Sequence, residues 1–193
     1  MSLSISLVGN LSSDKPSAAL LSLIILILSG CVHVISIDYR PANPYKGQGS
    51  VSIGPFEYSG SQDGARRIES NPQGIGRFYM SVEVAKFFAD AVASELNLSG
   101  YGVASTADLN ISGVIERFYY DSVDAQYASL ELIVRYILRL QEKETYAQPV
   151  RVFYRMPKSE LAINGLIRDA THESIHQFLH GAREANVLAL SHP

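Results

Sequence analysis

Three histidines at regular spacing, His172, His176 and His180, form the densest set of reactive side chains in this sequence. With Glu173 the first two spell His-Glu-x-x-His. On a helix, residues four apart share a face. Two imidazoles one turn apart can therefore hold Zn²⁺ while the glutamate acts as base on a metal-bound water. The chemistry would be zinc-dependent hydrolysis, with His180 offering a further imidazole another turn on. The rest of the helix argues against it. At about 100° per residue, Ile163, Leu166, Ile167, Ala170, Ser174 and Phe178 make the apolar stripe, and the histidines centre on the opposite side. A hydrolytic zinc helix turns its histidines into a cleft, whereas these are expected to face solvent. The extended pattern HExxHxxGxxH also fails, because the third histidine follows after three residues and Leu179 stands where glycine is needed. We assign no catalytic residue and no metal, and read His172, His176 and His180 as a solvated face able to take Zn²⁺ or Cu²⁺ only opportunistically.

Other chemistries find less support. Gly47-x-Gly49 and Gly74-x-Gly76 lack the preceding strand and following helix of a phosphate loop, and no Gly-x-Ser-x-Gly elbow is present. Glu116 and Asp121 flank a strand without the pairing that acid–base work requires. Net charge is −3 and no basic cluster exceeds Arg66-Arg67, so a nucleic-acid partner is not expected. No cofactor is implied by any motif.

The remaining reactive group is the one cysteine, Cys31, and its position is telling. Residues 18–30 read AALLSLIILILSG, an apolar run with Lys15 before it and small residues at its end. A spanning helix needs about 20 apolar residues, whereas an export signal needs about 7 to 15. Leu28-Ser29-Gly30-Cys31 resembles the lipobox of bacterial lipoproteins, position by position. That resemblance implies a diacylglycerol on the Cys31 sulfur, cleavage between Gly30 and Cys31, and an N-acyl chain on the freed amine. Each buried methylene contributes roughly 0.8 kcal/mol and one chain anchors only marginally, so two or three chains would hold the protein on a membrane without a spanning helix. Val32 follows the cysteine where an aspartate would imply inner-membrane retention. The family rule thus points to the outer membrane and its periplasmic face. With a single cysteine the exported product has no internal disulfide, and its stability must come from packing.

The expected organisation is a signal peptide over residues 1–30 and one domain over residues 31–193. Residues 32–39 and 51–58 alternate as strands, and residues 59–76, rich in Gly, Ser and Asn, are expected to be a mobile loop. Residues 81–98 take a helical period, with Val84, Phe88, Ala91, Val92, Glu95 and Leu96 on one stripe, Ser81 as N-cap and Gly100 as the stop. Residues 109–116, 130–140 and 150–156 alternate again, with a turn over 142–147, and residues 158–182 form the second helix. Strict alternation from Leu130 to Leu140 is the mark of a half-buried antiparallel strand. The predicted fold is therefore α+β, two-layer, an antiparallel sheet with two amphipathic helices on one face.

This order of elements, with Phe87 to Val103 (FFADAVASELNLSGYGV), Ala107 to Tyr119 (ADLNISGVIERFY) and the helix from Glu160 (ELAINGLIRDATHESIHQFL), resembles the YajG-type family of bacterial outer-membrane lipoproteins. The resemblance implies no enzymatic activity and supplies no catalytic residue. Ile133 and Ile137 fall on the supposedly wet side of the long strand, beside Arg135 and Arg139, which suggests that something covers it. Tyr119 and Tyr120 add aromatic surface nearby. These four residues are the expected partner surface, for an envelope protein or a second copy. The expected function is a non-enzymatic binding, assembly or accessory module. The alternatives are a zinc-dependent hydrolase on His172, Glu173 and His176, or a lipid- or glycan-binding transport accessory factor.

Overall fold

Strand β1 (Val32–Ile35) begins at the residue after Cys31 in this computed structural model, which describes residues 32–42, 46–60, 64–73, 76–158 and 163–188. Val32–Pro193 is one unit and Met1–Cys31 another, so the division falls between Cys31 and Val32. Gly30, Cys31 and the rest of the expected signal segment lie outside the described residues. After β1 come β2 (Ser50–Tyr58), β3 (Arg67–Ser70), β4 (Arg77–Met80), helix α1 (Val84–Leu98) and β5 (Gly102–Ala104). Then follow β6 (Leu109–Asp121), β7 (Tyr127–Leu140), β8 (Lys143–Pro157) and helix α2 (Ile163–Glu184). Among the described residues no helix is long and apolar enough to cross a membrane.

The fold is mostly β, with 46% strand and a mixed sheet, which corrects the expected α+β two-layer fold with an antiparallel sheet. Among the described residues eight strands form one curled sheet, a half-barrel, with two helices packed against it. The long hairpins β6–β7 and β7–β8 are antiparallel, as is β3–β4. In contrast, β2 runs parallel to both β5 and β6, β3 parallel to β6, and β1 parallel to β4. The reason is connectivity. Helix α1 lies between β2 and β5, and a crossover helix returns the chain in the same direction, which a tight hairpin cannot do. Alternation within a strand reports which side is buried and not which way its neighbour runs.

Part of the expected loop over residues 59–76 is ordered into β3, which pairs with β4 and with the far end of β6. Residues 61–63 and 74–75 of that stretch lie outside the described residues. The turn expected at 142–147 is tighter, with Leu140 and Lys143 paired across Gln141 and Glu142, both at positive φ. Two-residue hairpins need that geometry, and the absence of an Asn-Gly signal hid it. Helix α1 starts after Glu83 without a side-chain cap, so Ser81 does not cap it. It ends as read, on Gly100 at φ +92°, where Gly100 N–H donates to Asn97 O and Tyr101 N–H to Leu96 O. That pair of bonds is a Schellman ending, and glycine supplies its left-handed residue without a Cβ penalty.

The core sits between the concave side of the sheet and the helices. Leu130, Leu132, Val134, Tyr136 and Leu138 of β7 all point into it. Tyr136 stacks on Phe178 of α2 at 4.5 Å and its hydroxyl pairs with Ser174 Oγ at 3.0 Å, so the buried phenol is satisfied. Phe88 of α1 meets Phe118 of β6 edge to face. A bulge between Ile115 and Arg117 switches the parity of β6, so Ile115, Phe118 and Tyr120 all face inward.

Candidate functional site

The convex side of β6, β7 and β8 gathers the residues read as a partner surface. On β7, Glu131, Ile133, Arg135, Ile137 and Arg139 alternate with the core residues and point away from the helices. Register sets their neighbours. Ile133 lies between Arg117 of β6 and Arg151 of β8, and Ile137 lies between Ser112 and Ala147. Tyr119 and the exposed Phe153 flank Glu131 from either side. Tyr120 does not belong to this surface. It is 4% exposed and packs its edge on Phe78 at 4.8 Å, because the bulge turns even-numbered residues of β6 inward.

Charges frame these apolar groups. Arg117 Nε donates to Glu131 Oε2 at 2.5 Å, and Arg151 donates to Glu131 Oε1 from the other side. Arg135 Nε reaches Glu116 Oε1 at 2.7 Å, Arg155 reaches Asp124 at 3.0 Å, and Arg139 donates to Ser112 Oγ at 2.9 Å. The Arg117 guanidinium also lies over the Tyr119 ring at 4.5 Å. Hydrogen bonds from Arg151, then from Arg117, hold the Glu131 carboxyl below its ordinary range. Backbone N–H donors of Gln126 and Tyr127 do the same for Asp124. The result is a pre-ordered lattice of five arginines against three carboxylates, with isoleucine, phenylalanine and tyrosine set into it. Such a surface has the makings of a protein interface, where aromatics and arginine are enriched. Among the described residues β8 pairs with β7 alone, so its far edge also presents backbone donors and acceptors, blunted by Pro149 and the charges of Lys143, Arg151 and Arg155.

The histidine helix is arranged differently from the expectation. His180 is exposed and meets Glu184 Oε1 at 3.2 Å. His172 is drawn inward, its side chain 20% exposed, with Nδ1 at 2.8 Å from Glu95 Oε1 on α1. The same oxygen accepts the Tyr39 hydroxyl at 2.5 Å. Burial and this carboxylate together push the Tyr39 hydroxyl far above its ordinary range. The buried stripe of α2 is wider than a single sheet contact requires, taking in Thr171, Ile175, Leu179 and Ala182, because α1 packs beside it. A helical wheel of α2 alone contains no α1. Glu95 was legible as a carboxylate on an apolar stripe, and such a group needs donors. It is 2% exposed, so no dissolved substrate reaches it. The Tyr39–Glu95–His172 cluster ties the segment after β1 to both helices and serves structure. His172 and His176 rings lie 6.2 Å apart, and Glu173 accepts from Gln177 at 2.7 Å on the exposed side. Among the described residues no group of three or more His, Cys, Asp or Glu is placed to hold a metal.

No family model matches the sequence, and no curated protein does. Solved structures do match. A Xanthomonas campestris protein of the family DUF330 superposes with a TM-score of 0.60 at 10% identity, covering 81% of this chain and 96% of its own. The two share a fold. A hypothetical protein of Chlamydia trachomatis gives a TM-score of 0.49 at 10% identity, covering 74% of this chain and 98% of its own. Rare lipoprotein B of Shewanella oneidensis gives 0.46 at 11% identity, over 74% and 99%. At 10% identity the likeness to the Xanthomonas protein is one of fold.

Proposed function

We propose that this protein is a lipid-anchored, non-enzymatic binding module of the bacterial envelope, of the kind the YajG-type resemblance implies. In this reading the chain is cut between Gly30 and Cys31, Cys31 carries diacylglycerol and an N-acyl chain, and the domain stands on the periplasmic face of the outer membrane. The observation that carries the reading is where the folded unit starts. Strand β1 opens at Val32, so the fold places its first residue directly after the cysteine that the lipobox would acylate. A fold shared with the DUF330 protein is compatible with it.

The binding surface is the convex face, with Ile133, Ile137 and Tyr119 as its contacts and an envelope protein or a second copy as its occupant. Half-buried isoleucines between ordered arginines offer apolar area at low ordering cost. The test has two arms. Fractionation of cells making Cys31→Ser should move the protein out of the membrane pellet, and retention there would reject the anchor. Photocrosslinking from position 137 in the living cell should trap one defined partner or a dimer, while position 164 on α2 should not. Equal, diffuse labelling from both would reject the face.

A further inference from the structure

The other end of the sheet bears a second surface, and chain geometry says what it meets. β1 is an end strand, paired with β4 alone among the described residues. On one side of β1 are the buried Ile35 and His33, itself exposed and stacked on Phe78 at 5.2 Å. Its outward residues are Val32 and Val34, 62% and 63% exposed. Register sets Val32 beside Arg77 and Val34 beside Tyr79, with Arg67 beyond Tyr79 on β3. Arg66 extends the same surface, its Nε donating to Met80 O at 2.8 Å. Val32, Val34, Arg66, Arg67, Tyr79 and Glu83 line an open depression of about 510 Å³. Two bare valines, a tyrosine and three arginines against one glutamate thus share one patch.

We propose that this patch is docked on the bilayer and that its partners are anionic phospholipid headgroups. The inference rests on the lipid-anchored reading, which puts acyl chains on Cys31. No linker separates that residue from β1. At about 3.3 Å per strand residue, Val32 and Val34 lie within roughly 10 Å of the Cys31 backbone, while one headgroup layer is about 5–8 Å deep. The valines therefore reach the interface with the anchor. Arginines are drawn to an anionic surface by its negative potential, and the tyrosine suits the interfacial zone. By contrast Ile137 stands four strand spacings away, roughly 19 Å, and four residues along β7 beyond the level of Val34, roughly 13 Å. Ile137 is therefore the contact of the partner face farthest from the patch, whereas Tyr119 stands on the strand next to β3.

The experiment uses the full chain, processed and acylated, in vesicles of phosphatidylethanolamine and phosphatidylglycerol. Acylation blocks the Cys31 sulfur, so Val34→Cys or Ile137→Cys gives one reactive thiol for a fluorophore. With a headgroup nitroxide lipid as quencher, the probe at 34 should be quenched several-fold more than the probe at 137. Replacing phosphatidylglycerol by phosphatidylcholine should weaken that difference, as should Arg66→Glu with Arg77→Glu. Equal quenching at both positions, or indifference to lipid charge, overturns the patch while leaving the anchor intact, because the protein still floats with the vesicles. A processed chain that does not float overturns the anchor, and the patch falls with it.

Discussion

Replacing Ile133 by glutamate, and separately by lysine, asks whether the convex lattice is an ordered solvent-side surface. Ile133 stands in register between Arg117 and Arg151, whose guanidiniums already share Glu131. Losing a half-buried isoleucine costs about 1 kcal/mol, taking half of the roughly 1.5–3 kcal/mol for full burial. A carboxylate at 133 recovers about 0.2–1 kcal/mol from each arginine opposite it, so Ile133→Glu should end within about 1 kcal/mol of the parent. An ammonium there meets two like charges, and Ile133→Lys should cost about 1.5–3 kcal/mol. For a domain of this size 1 kcal/mol is about 2–4 °C in Tm. The two variants should therefore be resolved by thermal and urea unfolding followed by circular dichroism. The gap should narrow at high salt, because it is Coulombic between partly exposed groups. One residue away, Leu132→Glu buries a carboxylate in the core and should prevent folding. If Ile133→Glu proved as damaging as Leu132→Glu, or if lysine were tolerated as well as glutamate, the face would be core or its arginines elsewhere.

Three further outcomes follow from named contacts. The Glu131 carboxyl is held below its ordinary value of 4.5, so its stabilisation is complete above that pH and fades as pH falls through the lowered value; Glu131→Gln should flatten the acid limb of a stability–pH curve. Tyr39→Phe removes the hydroxyl that donates to buried Glu95 and should cost roughly 1.5–3 kcal/mol in urea unfolding, with both helices loosening together in hydrogen exchange. Gly100→Ala forces a Cβ onto a residue at φ +92° and to 2.9 Å from Gly47 O, and should lower stability by roughly 1–2 kcal/mol or more.

The sequence by itself determined the elements whose burial pattern repeats locally. Both helices, the side of β7 that faces inward, the Gly100 stop and the apolar run ending at Cys31 were all legible, because each depends on residues within a turn or two of one another. Direction and neighbourhood were not. Whether β2 runs with or against β6 depends on where α1 returns the chain, and no alternation within β2 records that. Tyr120 fell inward because one bulged residue in β6 shifted parity, an event that leaves no mark on composition. His172 turned from the solvent-facing side of an isolated helix into a partner of Glu95 and Tyr39 once α1 packed against α2, so the motif with the most chemistry on paper became a tie between elements. Local periodicity is fixed by backbone geometry, whereas pairing and polar partnership are fixed by which surfaces the folded chain has left to cover, and only the tertiary structure decides those.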